Sequence, residues 1–546
     1  THFCCASMSW IPEQHSWGLF KSIVSSKGYR PSASRILLDF TTARPTSDTF
    51  TFEKILEDAI AFRDHHGKFI KEPRMLAWRE KLGANRLSGG STGRPAAGSS
   101  LMLSSPLVDE AHWRKLCLAC TKRPLSNYGA YLLRAKLVRT IGARLQIDDF
   151  RAVYGDEIKR FEVKKPIFFI GLPRCNTHEA VHVAMRTGLG LGLRCRDTMF
   201  PGIINEVRRH EEAAKVLYRR DNIFPFEQTL RTSTAGGSDD DMTLQLLSPQ
   251  SIAWGLWHGL DDYLYECIQE DQQPVYDRVR DVLQLFNWYR KEHQYSDFVD
   301  REVTPIDNPV NQTMHGWKDQ VNFLPPWFIQ SPLAILNIDK LHAAFPDMRL
   351  VWCHRALLYS IPSFCSALAM RYATFTGRHP TEGRMSVIGE QVTGMFGSGA
   401  DQAIQYLATF PKDRMVHWSN RDINRHCTRL LYKTLNQFES GVDYFRRLQT
   451  INGQVEYVSQ FRPKHDSELG FFALHEGIVN EAFSSYINQF EEYAFEKKFG
   501  ITIQNYKSLS GTLQETRASI DANFAEKETS LVHMPSPGHF LQERNK

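Results

Sequence analysis

The sequence predicts an α/β protein, a parallel sheet flanked by helices with a helical N-terminal extension and a polar C-terminal tail. The first observation is a set of short apolar runs of strand length, PIFFIG (166–171), RLVWC (349–353) and RMVHW (414–418). Each is followed by helical periodicity, the pattern of parallel strands joined by crossover helices. The second is the run from PIFFIG through LPRCNT into HEAVHVAM, a strand, a tight turn and a helix start, the layout of a P-loop-like fold.

Ahead of that core, TFEKILEDAIAFRDHH (51–66) places Phe52, Ile55, Leu56, Ala59 and Ile60 at helical spacing, so it reads as an amphipathic helix that must pack on something. LSGGSTGRPAAGSSLMLSS (87–105) is small, rich in Gly, Pro and Ser, and without period, which is linker composition. Residues 107–162 read as helical with a break at Pro124. After about Tyr506 the chain turns polar and cannot build a core. The expected division is an N-terminal extension over 1–105, an α/β domain over 106–505 and a tail over 506–546.

Charge excludes some functions. With 66 Lys+Arg against 61 Asp+Glu the net charge is +5, too small to imply nucleic acid or an anionic membrane as partner, so any anion site is local. No apolar run approaches the roughly 18–20 residues of a membrane span. Ten irregularly spaced cysteines argue against a disulfide framework and for a reducing compartment. Cys117-x-x-Cys120 has no second pair to complete a zinc site and reads as two half-buried helix cysteines. The sequon Asn311-Gln312-Thr313 is of a kind that chance supplies. The chain opens on Thr1 rather than Met, as a fragment would, or a mature chain that has lost a targeting segment, a mitochondrial one being the concrete version.

The loop after the first strand carries the chemistry. A helix N-terminus behind a strand presents free N–H groups and a positive dipole end, where phosphate or sulfate binds. A nucleotide-triphosphate loop beginning at Gly171 would need Gly at 176 and Lys at 177, but Asn176 and Thr177 stand there. His178, Glu179 and His182 also spell the zinc-protease string HExxH, with Asn205-Glu206 where a third ligand would fall. The string is short, the chain has 20 His, and a helix start behind Arg174 disfavours a dication, so no zinc is expected. Asp239-Asp240-Asp241 could hold a cation but reads better as a solvated loop or helix start. His182 reads as a packed or surface histidine, and His354 as a strand-end residue.

PIFFIGLPRCNTHEAVHVAM resembles the 5′-phosphosulfate loop of the sulfotransferase superfamily, whose broad bacterial-type branch carries a PIFIxGxPRSGTT-like sequence. Trp327–Leu368 is similar to that branch's later KSP and HRDP block, and Arg414–Phe438 to its following strand and helix. The resemblance runs from about residue 115 to 505. It implies a site for 3′-phosphoadenosine-5′-phosphosulfate (PAPS) or adenosine 3′,5′-bisphosphate. Arg174, Cys175, Asn176, Thr177 and His178 would face the 5′ end, Arg355 and Ser363 the 3′-phosphate, and Arg462, Lys464 and His465 resemble a late basic segment over the nucleotide.

The same resemblance implies losses. Cys175, Asn176 and His178 replace short residues, although Asn176 tolerates a left-handed backbone and can keep the loop's shape. Gln330 stands where the family has the lysine that stabilises developing charge, and Ala356-Leu357 replace the acidic and proline positions after Arg355. Coincident changes at the chemical positions suggest a retired site in an accessory subunit of a larger assembly of proteins. The alternative is an active PAPS-dependent sulfotransferase with an unknown hydroxyl acceptor and His178 or His182 as base, and a zinc hydrolase is a distant third.

Overall fold

A computed structural model of the chain describes residues 47–67, 73–78, 80, 109–186, 190–223, 233–292, 326–378, 380–438 and 468–494. The 87–105 linker, the tail after 506, the Asn311 sequon and Arg462, Lys464 and His465 lie outside the described residues. Among the described residues five parallel strands form one sheet, β1 (Ile167–Ile170), β2 (Leu191–Gly192), β3 (Trp327–Gln330), β4 (Arg349–His354) and β5 (Met415–Ser419), in the order β2-β3-β1-β4-β5. β1 lies at the centre, with Phe169 opposite Gln330 on one side and Val351 on the other. Every residue of β1, β3 and β4 is buried, so these strands are covered on both faces rather than alternating between core and solvent. Phe168 and Phe169 are wholly enclosed, each worth about 1.5–3 kcal/mol of burial.

Helices cover the sheet. The predicted amphipathic helix is α1 (Phe52–Gly67), and Ile55 and Ala59 are fully buried against α3 (Asn127–Lys159). Their approach is close, because a Cβ on Gly142 of α3 would stand 2.9 Å from the Ala59 carbonyl oxygen. The break at Pro124 separates α2 (Glu110–Lys122) from α3, whose start is capped by the Ser126 hydroxyl accepting from the Gly129 N–H at 3.0 Å. Cys117 and Cys120 are not half-buried but enclosed in the core, where burial raises both thiols, Cys117 to about 12. They are inert packing residues.

Helix α4 (Thr177–Arg186) follows β1, α5 (Gln273–Glu292) precedes β3 in the chain, α6 (Leu357–Thr376) follows β4, and α7 (Glu382–Leu407) and α8 (Asn420–Gln437) flank β5 in the chain. Among the described residues no helix is long and apolar enough to cross a membrane.

Candidate nucleotide-binding site

Three crossovers bring their carboxyl-end residues to one place. Gly171 leaves β1 at φ 145°, and a Cβ there would stand 2.3 Å from the Cys353 carbonyl oxygen of β4, so only glycine passes between the strands. The loop then turns through left-handed residues, Arg174 at φ 71° and Asn176 at φ 67°. Asparagine accepts that conformation at little cost, whereas arginine is held there by its surroundings. The turn ends at Thr177, the first residue of a ten-residue helix, so the positive end of the helix points back at the loop.

The side chains divide between core and cleft. Cys175 is fully buried, and burial pushes its thiol up to about 12, so it packs and offers no nucleophile. Arg174 donates from Nε to the Ser363 hydroxyl of α6 at 3.1 Å, and Arg355, just past β4, donates from Nη1 to the Arg174 carbonyl at 3.1 Å. Arg174, Arg355 and Ser363, each expected to contact a nucleotide phosphate, thus form one hydrogen-bonded group. Asn176 donates its amide to the Asn424 side chain of α8 at 2.7 Å. Thr177, nearly buried, accepts at its hydroxyl from the Gln330 amide of β3 at 3.1 Å.

Two histidines stand on α4 itself. His178 and His182, one turn apart on α4, each place Nδ1 3.4 Å from the Ser238 hydroxyl, with ring centres 6.3 Å apart. Glu206, suggested above as a distant ligand, is ion-paired to Arg196, and Asn205 accepts from the Arg208 N–H. Among the described residues no group of three or more His, Cys, Asp or Glu is arranged to hold a metal.

The sequence profile of the Sulfotransferase family matches residues 166–426, from the residue before β1 into α8. Residues 166–426 belong to the sulfotransferase superfamily. Two solved structures share the fold. The sulfotransferase STF1 from Mycobacterium tuberculosis is 17% identical with a TM-score of 0.53, over 69% of this chain and 91% of its own. STF9 from Mycobacterium avium, also a sulfotransferase, is 15% identical with a TM-score of 0.54, over 70% and 90%. No curated protein matches the chain in sequence.

Within this sulfotransferase-superfamily domain the acidic run departs from expectation. Asp239, Asp240 and Asp241 are buried, not solvated, because the segment lies along β3, with the Asp241 N–H donating to the Gln330 carbonyl at 2.9 Å. Asp239 accepts from the Thr198 hydroxyl and Asp240 from the Met242 N–H. Asp241 accepts from Ser331 at 2.6 Å and Gln245 at 3.1 Å, and burial, reinforced by Asp240, raises its carboxyl to about 8. His354 ends β4 as expected, but it is fully enclosed between Tyr486 and His417. Sequence reasoning missed Ser238, Asn424 and the Asp241–Ser331 pair. Asp241 and Ser331 sit in stretches already singled out, but nothing local announces a partner 90 residues away.

Proposed function

We propose that the sulfotransferase-like domain binds adenosine 3′,5′-bisphosphate or PAPS without efficient transfer of the sulfuryl group, and serves as an accessory subunit of a larger, mitochondrial assembly. The observation that carries the reading is the neutral Gln330 at the family's lysine position, its amide engaged with Thr177. Charge developing on the bridging oxygen is stabilised by a cation aimed at it, and a neutral amide supplies much less. Binding has better support than transfer. Arg174, Arg355 and Ser363 are grouped, and the left-handed Asn176 preserves a turn that glycine would otherwise make. When bound, PAPS would supply the activated sulfuryl group; the chain's part is to place phosphates against the α4 N-terminus and the two arginines.

The experiment is an assay of the purified chain with PAPS and a panel of phenols, alcohols and saccharides, alongside its native purification. The reading expects no turnover and co-purification with other proteins in fixed ratio. Turnover by a chain that elutes alone would contradict it. The second reading, an active sulfotransferase, is favoured by His178 and His182 beside Ser238, where an imidazole nitrogen could take the proton of an acceptor hydroxyl.

A further inference from the structure

The last described segment packs over the carboxyl ends of β4 and β5. It comprises α9 (Glu476–Ala482), α10 (Ser484–Gln489) and α11 (Glu491–Ala494). From it Tyr486, Phe490 and Tyr493 close around His354, with ring centres 5.7, 4.7 and 4.6 Å away. Trp352 stacks on the other side at 5.5 Å, and Phe490 also meets Trp352 at 5.0 Å and His417 at 5.3 Å. The polar atoms form one chain: His354 Nδ1 lies 2.7 Å from the Tyr486 hydroxyl and His354 Nε2 lies 2.9 Å from His417 Nδ1.

We propose that residues 484–494 form a proton-released strap, held down while His354 and His417 are neutral and freed when the imidazoles are protonated. Each of the two hydrogen bonds holds one proton, so neutral imidazoles satisfy both whichever way the chain is ordered. One added proton can sit on His417 Nε2 with both bonds kept, but it puts charge beside rings and a neutral histidine. A proton on each histidine sets two N–H groups against each other between the rings.

Among the described residues, the titratable and charged groups around the pair are Tyr486 of α10, against His354, and Glu492 and Tyr493 of α11; Cys353 of β4 and Cys175 of the loop after β1 face Tyr486, and Asp422 of α8 faces Tyr493. Arg355 is turned to the Arg174 carbonyl. Of these only Glu492 acts on His417 as an anion, and it does not outweigh burial, which holds His417 below its ordinary value and His354 further below.

Freed imidazoles take up protons near pH 6.5, whereas the covered pair resists them. Strap stability is therefore complete above about pH 6.5 and lost as pH falls below it. One pH unit below that point, the open fraction rises about tenfold if one proton is taken up and about a hundredfold if two are.

Hydrogen exchange of the full chain at pH 7.5 and 5.5, corrected for the intrinsic pH dependence of exchange, tests this. Protection of the 484–494 amides should fall by about tenfold to a hundredfold at the lower pH, while β1 amides keep theirs. In His417→Phe, which keeps a ring and removes one titrating group, the fall should be smaller. Should circular dichroism show that variant unfolded, His417→Gln has the same expectation. Equal protection at the two pH values in the wild type, or a fall as large in the variant, would overturn the proposal.

Discussion

The Gln330 side chain gives its amide N–H to the Thr177 hydroxyl at 3.1 Å, tying the end of β3 to the first residue of α4. Gln330 is nearly buried, and its Oε1 has no hydrogen-bond partner. A buried polar group half satisfied in this way costs stability.

Replacing Gln330 with Lys should therefore have opposite effects on binding and on the free protein. A charged contact to an anion is worth about 1.5–3 kcal/mol, so affinity for adenosine 3′,5′-bisphosphate should rise by roughly tenfold to a hundredfold. Without ligand the buried cation should lower the melting temperature. Calorimetry and thermal melts of the same preparation check both. Tighter binding together with a higher ligand-free melting temperature would contradict the placement of Gln330 in a dry, anion-facing position.

Asp241 makes a pH prediction with a definite sign. Its carboxyl ionises near 4 in the unfolded chain and at about 8 in the folded one, so its contribution to stability is fullest below pH 4, declines as pH rises toward 8, and is level above. Asp241→Asn resembles the protonated form and should melt at a higher temperature than wild type at pH 8 and at about the same temperature at pH 4. Melting both chains from pH 4 to 9 reads the difference directly. A difference that does not change with pH would show that Asp241 ionises normally.

Gly171→Ala should damage folding rather than chemistry. The new Cβ would meet the Cys353 carbonyl at 2.3 Å, and φ 145° is strained for any side chain. The expected loss is at least about 2 kcal/mol, seen as a lower denaturant midpoint. Gly383 meets nothing within 4 Å, so Gly383→Ala is the matched control and should lose no stability.

The sequence made β1, β4 and β5 legible because each is an apolar run followed by a helical period. It did not show β2, whose two residues are too short for any pattern, or mark WFIQ as β3 between Pro326 and the Ser331-Pro332 turn. Arg355 and Ser363 were legible because β4 and the first turns of α6 fix their relation locally. The burial of the acidic run was not, because it depends on β3, about ninety residues further along the chain. His354 shows the same limit. Its place at a strand end follows from local pattern, while its closest partner, Tyr486, is 132 residues away.

The central claim is that the loop after β1, with Arg174, Arg355 and Ser363, holds a nucleotide carrying phosphates at both ends of its ribose. Titration calorimetry with adenosine 3′,5′-bisphosphate, on the wild-type chain and on Arg355→Ala, tests it most directly. The account predicts saturable one-site binding to the wild type, weakened by about tenfold or more in the variant, because a charged hydrogen bond to phosphate is worth about 1.5–3 kcal/mol. Absence of binding to the folded wild-type chain, or equal affinity in the two proteins, would contradict it.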